Sequence, residues 1–522
     1  MANRNVVVRS RDGRVLLDFN RNVFVASSLL TGLFVGFSLL YLQTFSTTVE
    51  ELQAWIANQT GWFLVLTVNV ILAYLLFLLV SPFGGIRLGG PNAKPEFSGF
   101  AWLAMLFSAG MGIGLMFYSV AEPVYHLVEP PHGAVPGSEA AYEDAIRTTF
   151  LHWGLHAWGI YALTGLCLAY FAFNRGESLS IRSVFTPVLG VRTKGWMGDT
   201  IDTLASVATL FGVATSLGLG AQQVNAGLSQ LLGMPVSAGM QISLITGITA
   251  LATVSVVLGL DKGIKRLSIA NIGFAVALLA FVLFAGPTLF ILNGFVENLG
   301  LYLDDIFMLS FWNETYTQGS WQNGWTVFYW GWWISWAPFV GMFVARISKG
   351  RTIREFIGGA LIAASLMTFL WLSVFGDSAL FIELAGPGGL AQAVQSDLAR
   401  SLFVFLELLP VASGLDVPGV LIAGVGTLAT VAIVTFFVTS SDSGSLVIDI
   451  ITAGGKPNPP TAQRVYWAIL EGLVAAVLLV GGGLTALQTA AISAGLPFSV
   501  LILVMIVGLH RALAADKSTD TT

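Results

Sequence analysis

The 522 residues are 55% hydrophobic and only 10% charged, with a formal net charge of −5, whereas soluble domains carry about 25% charged residues. With a mean hydropathy of +0.79, this balance excludes a nucleic-acid binder, a secreted scaffold and an ordinary cytosolic enzyme. The single cysteine, Cys167, also excludes an internal disulfide, a CxxC redox pair and a cysteine metal site. The chain reads as an all-α polytopic membrane protein.

At about 20 apolar residues per crossing, twelve transmembrane helices are predicted: 24–44, 61–81, 101–121, 148–172, 203–232, 240–260, 268–292, 325–347, 357–382, 417–438, 464–481 and 486–509. These runs are too long and too uniformly apolar for β-barrel strands, which alternate with period two. No cleavable signal is visible in the basic, partly polar stretch before the first span.

Loop charges test that count. The N-terminal tail holds Arg4, Arg9, Arg11, Arg14 and Arg21, and every second loop after it is basic. Of the 24 basic residues, only Arg147 and Arg400 fall on the opposite side, among acids such as Glu129, Glu143, Asp144, Asp304 and Asp305. By the positive-inside rule both termini are cytoplasmic. Two outer-side segments, 299–311 and 391–409, read as helices lying on the surface, as packing elements or as interfacial or gate elements.

Span three contains Gly110, Gly112 and Gly114 near its middle, and each glycine weakens a helix by about 0.8–1 kcal/mol relative to alanine. One reading is close packing through small residues. The other is an unwound helix at a binding site, since glycines spaced by two occupy more than one face. Span eight carries five of the fifteen tryptophans between Trp325 and Trp336. An aromatic belt at the membrane interface suits Trp325 and Tyr329. Trp333 and Trp336 lie roughly 12–16 Å deep at 1.5 Å per residue. With Trp153, Trp158 and Tyr161 of span four, they compose either aromatic packing or a cation–π cage for an organic cation, with no acid among the rings.

Span ten ends in Phe436-Phe437-Val438-Thr439-Ser440-Ser441-Asp442-Ser443, either hard oxygen ligands or a helix C-terminus giving way to a polar loop. His152 and His156, four residues apart, have metal-binding spacing but no identifiable third ligand, which favours a structural role. Asp377 and Glu471 are the acids best placed within spans and are functional candidates by default; neither has a nameable partner. No lysine or arginine lies deep in any span, and no P-loop, GxSxG or HExxH motif occurs. A channel would need a charged pore lining and an enzyme a poised acid–base pair; neither is present in the sequence.

The strings GMGIGLMFYSVAEP (110–123), HWGLHAW (152–158), TLFGVATSLGLG (209–220), WTVFYWGWWISWAPFVGMFVARISKGRTIREF (325–356) and FFVTSSDS (436–443) resemble the betaine/choline/carnitine transporter family, in matching order from about residue 20 to 510. The resemblance implies twelve helices and a LeuT-like fold of two inverted five-helix repeats, usually trimeric. The parts would be a cytoplasmic tail (1–23), two additional helices (24–100), the first repeat (101–292), an outer surface helix and loop (293–324), the second repeat (325–509) and a short cytoplasmic tail (510–522).

The resemblance also implies sodium symport of glycine betaine or a related compatible solute, by alternating access across a bacterial-type inner membrane. Its alternatives are proton coupling, or uptake of choline, ectoine or a dimethylsulfonium solute. No cofactor beyond the coupling sodium ion is implied, and no nucleic acid; the partners are solute, lipid and like subunits.

By position, the aromatic box would be Trp153, Trp158, Tyr161 and Trp333, with Trp332 and Trp336 lining the pathway. Ala109, Gly110, Met111, Gly112 and Gly114 would form the unwound stretch, whose backbone meets the substrate carboxylate. The main sodium site would use Thr439 and Ser440 with carbonyls of Ser108, Met111 and Phe436. A second sodium site would use Thr209 and Phe339, but Val213 stands where the family pattern has a threonine. Gly114 stands where choline-selective members carry aspartate, which favours a zwitterion. Osmosensing members carry long cationic C-terminal tails, whereas about a dozen residues follow span twelve here, so little osmotic activation is expected.

Overall fold

The computed structural model describes residues 5–110, 112–258 and 264–520. Among them, nine helices are long and apolar enough to cross a membrane: Arg21–Leu40, Leu42–Val80, Glu139–Phe173, Trp196–Leu232, Ala238–Leu258, Arg266–Ala285, Ile353–Leu384, Gly419–Thr452 and Thr461–Asp516. The last is two helices in series, because Gly482 (φ 177°, ψ 14°) and Gly483 (φ 58°, ψ −133°) leave helical geometry between them. Two further regions are helical but less uniformly apolar or continuous. Gly99–Gly110 and Ile113–Val128 are separate helices, and Thr326–Ile347 carries tryptophans that lower its hydropathy.

Burial sorts these helices into a centre and a rim. The most apolar stretches of Glu139–Phe173 and Trp196–Leu232 are 89% buried, against 22% for Arg266–Ala285 and 28% for Arg21–Leu40. The rim helices carry exposed Leu29, Leu33, Val276 and Phe284, side chains suited to lipid. In the centre, glycines let helices touch backbone to backbone. A Cβ on Gly165 would stand 3.1 Å from the carbonyl oxygen of Gly341, and one on Gly495 only 2.3 Å from that of Gly331. Both contacts clasp the tryptophan-rich helix, the small-residue packing expected where lipid offers no hydrophobic drive between helices.

Several expectations are corrected. The helical chain is preceded by a small hairpin in the N-terminal tail: Asn5–Arg9 pairs antiparallel with Val15–Asn20, with Asn5 opposite Asn20. Gly13, at φ 79°, supplies the left-handed residue the turn needs. Helix Leu42–Val80 starts well before residue 61. At 39 residues it is about 58 Å long, nearly twice the hydrocarbon core, and its polar first third (Glu50, Glu51, Gln53) extends beyond the apolar stretch. Span seven ends at Ala285, not 292, and a separate 24-residue helix, Thr288–Phe311, follows Pro287. Span ten does not end near residue 438: Gly419–Thr452 runs unbroken through the hydroxyl cluster. The helix beyond 510 continues to Asp520. The 391–409 segment forms helices Leu390–Ser396 and Ser401–Ala412, with Asp397 capping the turn between them.

Two polar latches hold Thr288–Phe311. Asn298 donates to Asp377 at 2.8 Å, and Arg147 bridges Asp305 and Asp144. Asp377 thus has a partner the sequence does not reveal. It closes a π-helical turn, Ser373–Asp377, the second in this span after Gly358–Ala363.

Candidate functional site

Two neighbouring helical regions, 99–128 and 139–173, are each interrupted, while Trp196–Leu232 runs unbroken. Gly99–Gly110 stops, Gly112 is extended (φ −166°, ψ −166°), and Ile113–Val128 begins. Alongside, Glu139–Trp153 breaks from Leu155–Phe173 at Gly154. A Cβ there would lie 2.4 Å from the Phe369 ring and 2.5 Å from the Phe150 carbonyl oxygen. Non-regular backbone at this depth survives only when buried in protein or facing a cavity. The first interruption falls on the glycines that the sequence singles out; the second was not anticipated.

A cavity lies between the interruptions. Its lining includes Gly110, Gly112, Gly114, Trp153, Trp158, Tyr161, Trp332, Trp333, Trp336 and Thr368. All six aromatic residues anticipated for the site therefore face one space. Trp153 and Trp333 meet edge to face with centroids 4.8 Å apart, Tyr161 and Trp333 at 6.3 Å, and Trp158 and Tyr161 at 6.0 Å; Trp332 stacks on Trp333 at 4.6 Å.

Four of the indole N–H groups are hydrogen-bonded, three to groups outside the cavity lining and one, that of Trp158, to Thr368, which lines it. Trp153 donates to Glu122 at 2.7 Å, Trp158 to Thr368 at 3.0 Å, Trp333 to the carbonyl of His152 at 2.8 Å, and Trp336 to that of Gly212 at 2.8 Å. These bonds fix ring orientation, and with the N–H committed a ring has its π face, the negative end of its quadrupole, to offer a cation. The cavity volume is about 30 Å³, room for about two water molecules, so any organic cation needs the rings to part.

Glycine sets how closely the broken helix approaches. A Cβ on Gly110 would lie 2.2 Å from the tip of Trp158; one on Gly114 would lie 2.9 Å from Trp332 and 3.0 Å from Trp153. The backbone thus forms a wall of the cavity, with helix N–H groups nearby at Ile113–Val128, a place suited to negative charge. Ala109 lies in the last turn before the break. Met111, anticipated for both substrate and sodium, lies outside the described residues.

Sequence reading missed Glu122. It ended span three at residue 121 and saw no acid among the rings, yet Ile113–Val128 carries Glu122 and Pro123 inside the helix, fully buried. The Glu122 carboxylate accepts from Trp153, from Tyr329, from His152 Nδ1 at 2.7 Å and from His126 Nε2 at 3.3 Å. The signal was available: an acid followed by proline, four residues before a histidine, within the quoted glycine motif. Glu122, His126 and His152 have ligand atoms within 4.8 Å of one another, close enough for a metal. Each of those atoms is already hydrogen-bonded. His156 takes no part, because it faces Asn69 at 3.3 Å and the Trp330 ring.

The residues anticipated for sodium, Met111 aside, lie on four helices. Thr439 is mid-helix; its hydroxyl reaches the carbonyls of Thr435 and Phe436 at 3.1 Å and accepts from Asn271 at 3.0 Å. Ser440 follows it, half-buried, and Ser108 is two residues before the helix stop at Gly110. Thr209 bonds to the Ala205 carbonyl at 2.8 Å, and Phe339 packs edge-on against Trp336 at 5.4 Å. The Trp336–Gly212 bond brings these two helices together beside buried Val213. Glu471 gains a partner in Ser441, at 3.0 Å.

Broken central helices around an aromatic cavity, inside a rim of lipid-suited helices, define a multi-pass membrane protein with the architecture of a solute transporter. Comparison with known proteins makes this specific. The chain belongs to the BCCT, or betaine/carnitine/choline, family of transporters, whose model matches residues 22–518. It is 43% identical over 502 residues to the glycine betaine transporter of Acinetobacter baylyi, covering 96% of this chain and 74% of that one. It is 44% identical over 521 residues to a glycine betaine/proline/choline transporter of Vibrio parahaemolyticus (97% and 92%), and 42% identical over 500 residues to the glycine betaine transporter OpuD of Bacillus subtilis (95% and 95%).

Proposed function

We propose that this transporter takes up a zwitterionic quaternary-ammonium solute, glycine betaine first among them, by sodium symport with alternating access. The observation that carries the substrate reading is the cage: five tryptophans and a tyrosine around one cavity, four of their N–H groups already hydrogen-bonded. Such faces hold a desolvated organic cation by about 2 kcal/mol or more per good contact. Gly114 places no carboxylate inside the cage, so the solute brings its own, to be met by the unwound backbone and the start of Ile113–Val128. Relatives named for glycine betaine support the same reading.

The topology proposed is twelve crossings. The nine long apolar helices become ten when the last is divided at Gly482–Gly483, and the broken 99–128 pair and Thr326–Ile347 complete the set. The last ten form two inverted five-helix repeats, both termini are cytoplasmic, and the assembly is a homotrimer in a bacterial inner membrane. Thr439 and Ser440, with carbonyls of Ser108, Met111 and Phe436, hold the main sodium ion; Thr209 and Phe339 mark a second position weakened by Val213. The biological role is osmoprotection. Uptake of labelled betaine into proteoliposomes tests this directly. Accumulation should require inward sodium, and equal uptake in sodium-free potassium buffer would reject the coupling.

A further inference from the structure

Among the described residues, Glu122 is a buried carboxylate with four donors and no lysine or arginine ion pair. Trp153 and Tyr329 donate as neutral groups. His152 is bonded on both nitrogens, Nδ1 to Glu122 and Nε2 to Thr326 at 2.9 Å. A neutral imidazole satisfies this set by donating from Nδ1 and accepting the threonine proton at Nε2. His126 likewise donates from Nε2, and its Nδ1 has no partner. With both imidazoles neutral, the carboxylate is the one formal charge of the cluster, stabilised by the four hydrogen bonds it accepts.

This charge stands directly behind the cage. One oxygen accepts from the edge of Trp153; the other accepts from His152, whose own carbonyl accepts from the edge of Trp333. Trp153 and Trp333 are the edge-to-face pair at 4.8 Å. Hydrogen bonding an indole N–H to a carboxylate shifts electron density toward the ring and deepens the negative potential of its face, the property on which cation–π attraction depends.

We infer that Glu122 is the positioning and charge-compensating residue of the cage: it orients Trp153 directly and Trp333 through His152, and makes the pocket select a cationic headgroup over a neutral one of the same shape. The inference rests on the cage being the solute site. It differs from a purely architectural role for Glu122 in one measurable respect, charge discrimination.

The test compares glycine betaine with 3,3-dimethylbutanoate, in which carbon replaces the ammonium nitrogen, so that shape and carboxylate remain and the cation is lost. Each competes with labelled betaine for uptake by wild-type and Glu122→Gln proteoliposomes. Glutamine keeps the size and most of the hydrogen bonding. In Glu122→Gln the preference for betaine over the neutral analogue should fall about tenfold, with maximal rate changing less than half-saturation. In a Trp153→Phe background, where no N–H links ring to carboxylate, adding Glu122→Gln should reduce the preference by a smaller factor. An unchanged preference in folded Glu122→Gln overturns the inference. Should that variant fail to assemble, Trp153→Phe alone must lower the preference severalfold, and failure to do so overturns it equally. A wild-type protein that does not distinguish the two compounds would instead reject the cage as the solute site.

Discussion

Trp333 faces the cavity between Trp153, Tyr161 and Trp332, and its N–H is already committed to a backbone carbonyl. Its contribution to a bound cation is therefore its face. Trp333→Leu should weaken betaine binding by about 1–2 kcal/mol, and Trp333→Phe should retain part of it. Trp325 is also buried, but it packs on Tyr125, His126 and Trp321 away from the cavity. Trp325→Leu should change affinity much less, and equal losses at both positions in calorimetric titration would favour general packing over a cage. Gly114 sets a steric counterpart. Gly114→Asp brings a carboxylate to the cage, so choline uptake should rise above background. Its Cβ must also displace the tips of Trp332 and Trp153 by a few tenths of an ångström, so half-saturation for betaine should rise severalfold. A folded variant that binds betaine and never transports choline would make Gly114 a purely steric requirement. The cage residues were legible because tryptophan is rare at midplane depth and its placement on two helices is periodic. Their anchors were not. The carbonyls of His152 and Gly212, and Thr368, come from elements whose proximity only folding establishes, and Glu122 looked like the end of a span.

The helix Gly419–Thr452 shows why local pattern misleads at the scale of an element. Hydroxyls followed by an acid look like a helix giving way to a loop, yet Thr439, Ser445 and Thr452 return their hydroxyls to carbonyls three or four residues earlier. Asp442 is met by Ser255 at 2.6 Å. Internal bonding of this kind lets polar residues remain helical. It also means that the Thr439 hydroxyl can turn toward an ion without breaking the helix. Thr439→Ala with Ser440→Ala should thus preserve assembly and raise the sodium concentration for half-maximal uptake; an unchanged sodium dependence would remove these residues from the site. The glycine break at 110–113 was legible from spacing. Gly154 was not, because a single glycine in an apolar run is equally compatible with an uninterrupted helix. The π turns at 358–363 and 373–377 likewise have no simple sequence signature.

Across the whole molecule, the proposed transport energetics meet the structure at the N-terminal hairpin. One sodium moving inward through 100 mV releases about 2.3 kcal/mol, and a tenfold gradient adds about 1.4 kcal/mol. One ion per zwitterion would then support roughly 500-fold accumulation, and two on the order of 10⁵-fold, so on the proposed second sodium position Val213 would bear on how steep a gradient is held. On the proposed alternating-access cycle, elements on the side of the N-terminus separate, and the hairpin bridges two of them. Lys456 pairs with Asp18, Asn5 donates to the Ala453 carbonyl at 2.9 Å, and Asn22, just beyond the hairpin, donates to Asp199 at 2.7 Å. The first two hold the loop before Thr461, the third the start of Trp196–Leu232. The Asp18–Lys456 pair is partly exposed, at 17% and 38%, and such pairs contribute about 0.2–1 kcal/mol. Lys456→Ala should consequently shift the balance between states by no more than about fivefold, raising uptake rate where inward opening is limiting. Truncation after Leu513, which is itself buried, removes the Arg175–Asp516 pair, also exposed at 35% and 39%, and should alter uptake by a similarly small factor. Rates across a series of external osmolalities separate the two ends. Substantial uptake without osmotic upshift is expected in every variant; an activation lost only in Lys456→Ala would make the hairpin the sensor, and one lost only on truncation would move it to the C-terminal helix.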